Sequence, residues 1–224
     1  MSMAAAGRFT KRYPSALRAE VAHNRAKTAR LAGVATPAVL ERSGPLTLDF
    51  ERVVVAGPPL LEDMIAALLP LHRMPREGLT RFDPFCRILP RLGGASPQLS
   101  AMVAALQAED RACAWAECAV VHGDFHPGQT LRDGEGRIWL VDLDDLALAP
   151  PEADFGNLAA WMATQREGAL QAQVDAALTQ VLALAPGADP ALARHFCRIA
   201  LLRRGLKLAE KGQPWVLQQL PFGP

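Results

Sequence analysis

Apolar residues recur along this chain with two periods, and the switches between them mark its elements. Gly7–Tyr13 alternates weakly and predicts a strand. Ser15–Ala32 has helical spacing, with Leu17, Val21 and Leu31 among Ala, Arg and Glu, Pro14 and Ser15 at its start and Gly33 as a stop. Pro37–Glu41 and Leu46–Val55 read as strands joined by the turn Arg42-Ser43-Gly44-Pro45. Gly57-Pro58-Pro59 breaks the pattern, and Leu60–His72 resumes it as a helix. Pro75–Pro97 is rich in Pro, Gly and Arg and reads as irregular. Gln98–Ala116 is amphipathic, with Leu99, Met102, Val103 and Leu106 on one face. A short apolar run, Ala119–Val121, enters a stretch dense in polar residues. Thr130–Arg132 and Arg137–Val141 follow as strands across the turn Asp133-Gly134-Glu135-Gly136. Asp154–Arg166, Ala169–Leu184 and Pro190–Lys211 complete the chain as helices. No repeat or low-complexity linker interrupts it.

The first 57 residues thus read as mixed α/β and the remainder, residues 58–224, as mostly helical. With 224 residues and 50% apolar content the chain can bury a sizeable core. Its 24 Lys and Arg against 23 Asp and Glu give no basic surplus for nucleic acid or an anionic membrane. No apolar run nears the ~18–20 residues that span a bilayer, and the N-terminus lacks the features of a secretory signal. The four cysteines, Cys86, Cys113, Cys118 and Cys197, have no zinc-like or paired spacing. A cytoplasmic protein with reduced thiols is expected.

Chemistry concentrates between His122 and Asp154, where carboxylates sit in turns at strand ends. Core packing explains such carboxylates poorly, whereas a rigid platform for a metal or a reacting hydroxyl explains them well. Asp124 precedes Gln129 by five residues and Asp142 by eighteen. That arrangement fits phosphoryl transfer: one carboxylate orients and deprotonates the acceptor hydroxyl, while an amide and a second carboxylate hold Mg²⁺ on the phosphates of ATP. Only four lysines exist, Lys11, Lys27, Lys207 and Lys211, so a phosphate-binding lysine has few candidates.

The string HGDFHPGQ, residues 122–129, resembles the HxDxxxxN catalytic loop of the aminoglycoside phosphotransferase and choline kinase-like enzymes, relatives of the protein kinases. VDLDD is similar to their metal-binding segment, and PPEADFGNLA to the segment that follows it. The likeness extends upstream through FTKRYPSALRAEVAHNRAKTARLAGVATPAVLE. It implies a protein kinase-like α/β fold of two lobes, with a reduced N-terminal lobe over residues 1–57 and a helical C-terminal lobe over 58–224. It further implies Asp124 as catalytic base, Gln129 and Asp142 as Mg²⁺ ligands with Asp144 as a further contact, and Lys11 on the ATP phosphates paired with Glu20. His122 and Asp154 would brace the catalytic loop, and Asp49–Val53 would meet the adenine. The literal Asp154-Phe155-Gly156 copies a protein-kinase metal motif, but it lies 30 residues after Asp124 and is assigned to bracing the start of a helix.

Two features depart from that pattern. Only ten residues precede Lys11, so the family's Gly-rich phosphate loop is expected to be missing. Gln129 replaces the usual Asn; maltokinase-like relatives carry a similar string, which implies that Gln can serve. The expected activity is transfer of the ATP γ-phosphoryl to a hydroxyl of a small molecule, with a pseudokinase or nucleotide-binding scaffold as the alternative. A third reading takes His122-x-Asp124-x-His126 as a hydrolase metal triad, which leaves the eighteen-residue spacing unused. The acids near the site admit an amino- or choline-bearing alcohol and a sugar hydroxyl equally. Oligomeric state is left open.

Overall fold

The computed structural model describes residues 7–220. These form seven strands and seven α-helices in the order β1 (Arg8–Arg12), α1 (Ala16–Leu31), β2 (Val39–Gly44), β3 (Thr47–Glu51), α2 (Leu61–His72), α3 (Pro97–Cys113), β4 (Ala119–Val121), β5 (Thr130–Arg132), β6 (Ile138–Leu140), β7 (Ala147–Ala149), α4 (Glu152–Ala163), α5 (Leu170–Ala183), α6 (Pro190–Ala209) and α7 (Trp215–Gln219). The fold is mixed α/β and helix-rich. Packing divides the chain into two units, Met1–Leu79 with Pro127–Leu146, and Thr80–His126 with Ala147–Pro224. This grouping places α2 and the β5–β6 hairpin with the first three strands, so it is not a division by chain order at Gly57.

In the first unit β1, β3 and β2 form an antiparallel sheet in that order, with Lys11 opposite Leu48 and Thr10 opposite Asp49. Bulges interrupt β2 between Val39 and Gly44, and the hairpin turns at Pro45-Leu46, later than the sequence pattern implies. β3 ends at Glu51 instead of running to Val55. Helix α1 starts on Ser15, whose hydroxyl accepts the Arg18 N–H, and Gly33 follows its end at φ +86°. The residues that marked α1 in the sequence are not those it buries. Leu17 and Leu31 are 71% and 81% exposed, while Ala19, Ala22, Ala26 and Ala29 form the inward stripe. Short side chains let the helix backbone lie close to the sheet, where Ala19 and Ala22 pack with Tyr13 and Leu48. Two backbone bonds fasten the β5–β6 hairpin into this unit: Leu140 donates to Ala35 O at 2.7 Å, and Ala56 to Arg132 O at 2.9 Å.

In the second unit β4 pairs antiparallel with β7, a strand that the sequence pattern did not reveal because three residues carry too short a period. Around it α3, α4 and α6 bury Phe85, Val103, Leu106, Trp115, Phe196, Ile199 and Leu202. α3 stops at Cys113, where Ala114 turns left-handed, and not at Ala116. Its expected face holds, with Val103 and Leu106 buried and Leu99 and Met102 packed at the edge. α4 begins two residues before Asp154, and α7 was not anticipated. α4 and α6 meet at Gly156: a Cβ there would lie 2.6 Å from Cys197 N and 2.7 Å from Ala193 O. Glycine is required by this approach, which explains the third letter of the Asp154-Phe155-Gly156 string without any metal.

Candidate functional site

In the first unit, β6 delivers the chain to Asp142, which sits left-handed at φ 60° and ψ 49°. A non-glycine residue in that region costs free energy and marks places where a side chain must be aimed. The turn after it, Leu143–Asp145, presents Asp144 on the same side. Lys11, from β1, donates to Asp142 Oδ1 at 2.5 Å and to Asp144 Oδ2 at 2.7 Å. Burial disfavours the ammonium, but the two carboxylates outweigh it and hold Lys11 above its ordinary range. Gln129 Nε2 donates to Asp142 Oδ2 at 3.3 Å, which leaves the amide oxygen available as a ligand. Arg25 of α1 donates to the Asp144 carbonyl, and Tyr13 Oη lies 3.5 Å from Asp144 Oδ1.

These residues adjoin a cavity of about 420 Å³. Lys11, Asp142 and Asp144 contribute to its lining together with Phe9, Phe50, Val53, Val55, Leu131 and Leu143. The size and the mixture of apolar walls with a few convergent charges are those of a cofactor site. Phe50, Glu51, Arg52 and Val53, from the segment expected to meet adenine, also line it. Past Glu51 the chain leaves the sheet, and among the described residues the backbone groups of Val53, Val54 and Val55 have no hydrogen-bond partner within the protein.

Glu20 does not join this cluster. It is exposed on α1, while the partners of Lys11 are Asp142 and Asp144. The buried face of α1 runs through Ala19, Ala22 and Ala26, so the adjacent position 20 points elsewhere. Among the described residues no group of three or more His, Cys, Asp or Glu side chains is placed to hold a metal. Two carboxylates and an amide are nevertheless a sufficient donor set for Mg²⁺, which keeps several waters and takes further oxygens from phosphates.

The second unit holds Asp124. Its carboxylate is gripped from both sides, by Arg203 Nη2 at 2.6 Å on Oδ1 and Arg87 Nη1 at 2.7 Å on Oδ2. Burial alone would raise its pKa; the charges of Arg203, Arg87 and Lys207 reverse this and hold it below the usual carboxylate value. Arg203 also bonds Asn157 Oδ1 at 2.5 Å, and Asn157 Nδ2 donates to Phe125 O at 2.6 Å. α6, α4 and the loop are thereby tied together at Asp124. Asp154, on the first turn of α4, accepts the N–H groups of His122 at 2.8 Å and Gly123 at 3.0 Å. His122 is fully buried, and His126 stacks on Trp161 with ring planes 8° apart.

Arg87, Asn157, Arg203 and Arg25 were not among the sequence candidates. For Arg203 a signal existed: it falls at helical spacing with the buried Ile199 and Leu206, and an arginine on a buried face needs a partner. Arg87 lies in the irregular stretch, where no period could have singled it out.

The family model of the phosphotransferase enzyme family matches residues 57–192, more than half of the chain, and so includes Asp124, Gln129, Asp142 and Asp154. Among solved structures, an aminoglycoside phosphotransferase of Streptomyces rimosus is 21% identical, with 88% of this chain and 86% of that one covered and a TM-score of 0.66. The same enzyme has been solved with ADP and streptomycin. A choline/ethanolamine kinase family protein of Mesorhizobium loti is 18% identical over 97% of this chain and 83% of that one, at a TM-score of 0.64. The choline kinase of Streptococcus pneumoniae is 14% identical over 99% and 82%, also at 0.64. No curated protein sequence matches this one. At these identities the solved structures establish the fold, and the family model supplies the membership: this chain belongs to the phosphotransferase enzyme family.

Proposed function

We propose that this chain is an ATP- and Mg²⁺-dependent phosphotransferase that modifies a hydroxyl of a small molecule. The observation that carries the reading is the Lys11–Asp142–Asp144 cluster at the lining of an apolar-walled cavity, with Asp142 held left-handed and Gln129 bonded to it. Lys11 would exchange its carboxylate partners for the α- and β-phosphates, and Asp142 with the amide oxygen of Gln129 would hold the metal, with Asp144 as a further contact. Glu20 keeps at most an indirect part. The unpaired backbone of Val53–Val55 is suited to the edge of a purine, whose polar atoms need partners in an apolar site. Mg·ATP, when bound, supplies an electrophilic phosphorus and disperses the charge on its oxygens.

Asp124 would receive the acceptor hydroxyl. With its pKa held down it stays ionised, so it accepts the hydroxyl's hydrogen bond, fixes the angle of attack, and takes the proton late, once the forming P–O bond has made that oxygen acidic, before passing it to solvent. Phosphoryl transfer asks little more, because its transition state is loose and positioning dominates. A carboxylate has about four lone-pair sites, so two remain after Arg87 and Arg203 bind. His122 and Asp154 would hold the loop that carries it, through the backbone bonds to Asp154. No helix among the described residues is long and apolar enough to cross a membrane. A reducing cytoplasm suits the four free cysteines.

Titration calorimetry of Mg·ATP with this chain and with Asp142→Ala tests the reading. Binding that the substitution weakens, accompanied by ADP formation with a hydroxyl acceptor, supports it. Tight binding with no transfer across an acceptor panel favours the nucleotide-binding scaffold, and equal binding by both proteins removes Asp142 from the metal site.

A further inference from the structure

Around Asp124 the second unit gathers more positive charge than that carboxylate accounts for. Arg87 and Arg203 take its two oxygens. Arg91 pairs with Glu210 at 3.0 Å. Arg204 and Lys207 follow on α6, three residues apart and so on one face. Arg204 spends its Nε on Thr164 Oγ1 at 2.6 Å and lies 6.0 Å from the Trp161 ring. Among the described residues neither Arg204 nor Lys207 has a carboxylate partner, and both are half-buried.

That is an unfavourable place for two cations. Burial, then the neighbouring Arg203, pushes Arg204 down to about 10 against the pull of Asp124. Burial lowers Lys207 too, and Arg203, Arg87 and Arg91 add to it, again opposed by Asp124. Cations near the end of α6 gain from the helix dipole, but that gain is available at the surface and needs no burial. Desolvated cations without a counter-charge are characteristic of sites that an anion completes. Asp144, one of the acids near the site that admitted a cationic alcohol in the sequence, is paired with Lys11 in the other unit.

We propose that the acceptor is an alcohol bearing a carboxylate or phosphate, whose anionic group is bound by Arg204 and Lys207 while its hydroxyl meets Asp124. The proposal rests on the phosphotransferase reading for the hydroxyl but not for the anion, which would bind without ATP. Trp161, beside Arg204, would cover the acceptor's carbon frame.

The test uses the full chain with four probes: D-glycerate, glycerol 3-phosphate, glycerol and ethanolamine. The thermal midpoint is followed with each probe alone, and ADP release with each probe plus Mg·ATP. Expected is a rise in midpoint with one or both anions and none with glycerol or ethanolamine. Lys207→Met and Arg204→Gln should each weaken the anion's effect, or raise its KM, by about 10-fold or more while leaving the Kd of Mg·ATP within about 2-fold. Lys207→Arg, which keeps the charge, should restore most of the effect. A phosphate-only response assigns the site to phosphoesters, and a response to both anions admits hydroxy acids. Anion binding without transfer upholds this site, and when the chain also fails to bind Mg·ATP it removes the phosphotransferase reading. Transfer to ethanolamine or glycerol in preference to the anions does the reverse. Silence from both anions, or variants that lose Mg·ATP instead of the anion, overturns the proposal, the second because the cations would then grip the nucleotide.

Discussion

The ammonium of Lys11 lies 2.5 Å from Oδ1 of Asp142, 131 positions further along the chain. The pair joins the first strand to the second residue after β6, within one packing unit, and both residues line the same cavity. Lys11 therefore neutralises both acids, Asp142 and Asp144, and on the proposed function phosphate and metal would replace these pairs. Lys11→Met should raise the Kd for Mg·ATP by about 10-fold or more, the worth of a charge-assisted hydrogen bond. Calorimetry measures it, and an unchanged Kd would remove Lys11 from the phosphate site.

Glu20→Gln should leave that Kd within about 2-fold, because the exposed side chain is not the partner of Lys11. A loss comparable to that of Lys11→Met, in the same titration, would show that Glu20 replaces an aspartate once nucleotide is bound.

Asp124→Asn should lower kcat by about 10²–10⁴-fold with Mg·ATP affinity retained. The pH dependence follows from the arginine clamp. The folded pKa of Asp124 is below its unfolded value, so its contribution to stability is fully present above the usual aspartate range, near pH 4, and is lost as pH falls through the lower folded value. Arg203→Met removes the closest cation and should move the acid limb of the rate profile toward higher pH. An acid limb that stays in place would mean that Arg87 and Lys207 suffice.

Gly156→Ala should destabilise the second unit by about 1–3 kcal/mol or more, since the new methyl group meets the α6 backbone. Urea denaturation reads this directly. Mg·ATP affinity of the folded fraction should not change, whereas a glycine of a metal-binding motif would alter it.

Asp154→Asn should cost about 1–3 kcal/mol, because an amide cannot accept the buried His122 and Gly123 N–H groups with both of its groups. Exchange of those two amide protons should accelerate together. Independent behaviour would mean that the carboxylate does not hold the loop as one piece.

Much of this molecule is visible in local sequence. The β5–β6 hairpin follows from Asp133-Gly134-Glu135-Gly136, where Asp133 accepts the N–H groups of Glu135 and Arg137 at 3.0 and 2.9 Å. Gln129 and Asp142 sit at the two ends of that hairpin, so their meeting is a consequence of strand pairing across a short turn. α1 is announced by Ser15 and Gly33, yet its inward face is not: leucines carry the visible period, and alanines are buried. Hydrophobic pattern reports what a residue prefers, whereas the separation of helix and sheet sets what fits.

The sequence by itself determined that Gln129 and Asp142 come together, because they flank the two strands of one short hairpin. Only the tertiary structure decided their partners. Lys11 meets Asp142 instead of Glu20, Arg203 reaches Asp124 across 79 positions, and Arg204 with Lys207 is half-buried without an acid. Such pairings are made by helices and strands brought together from distant parts of the chain. Coulomb attraction and desolvation act over a few ångströms of space, and the order of residues along the chain does not encode that distance.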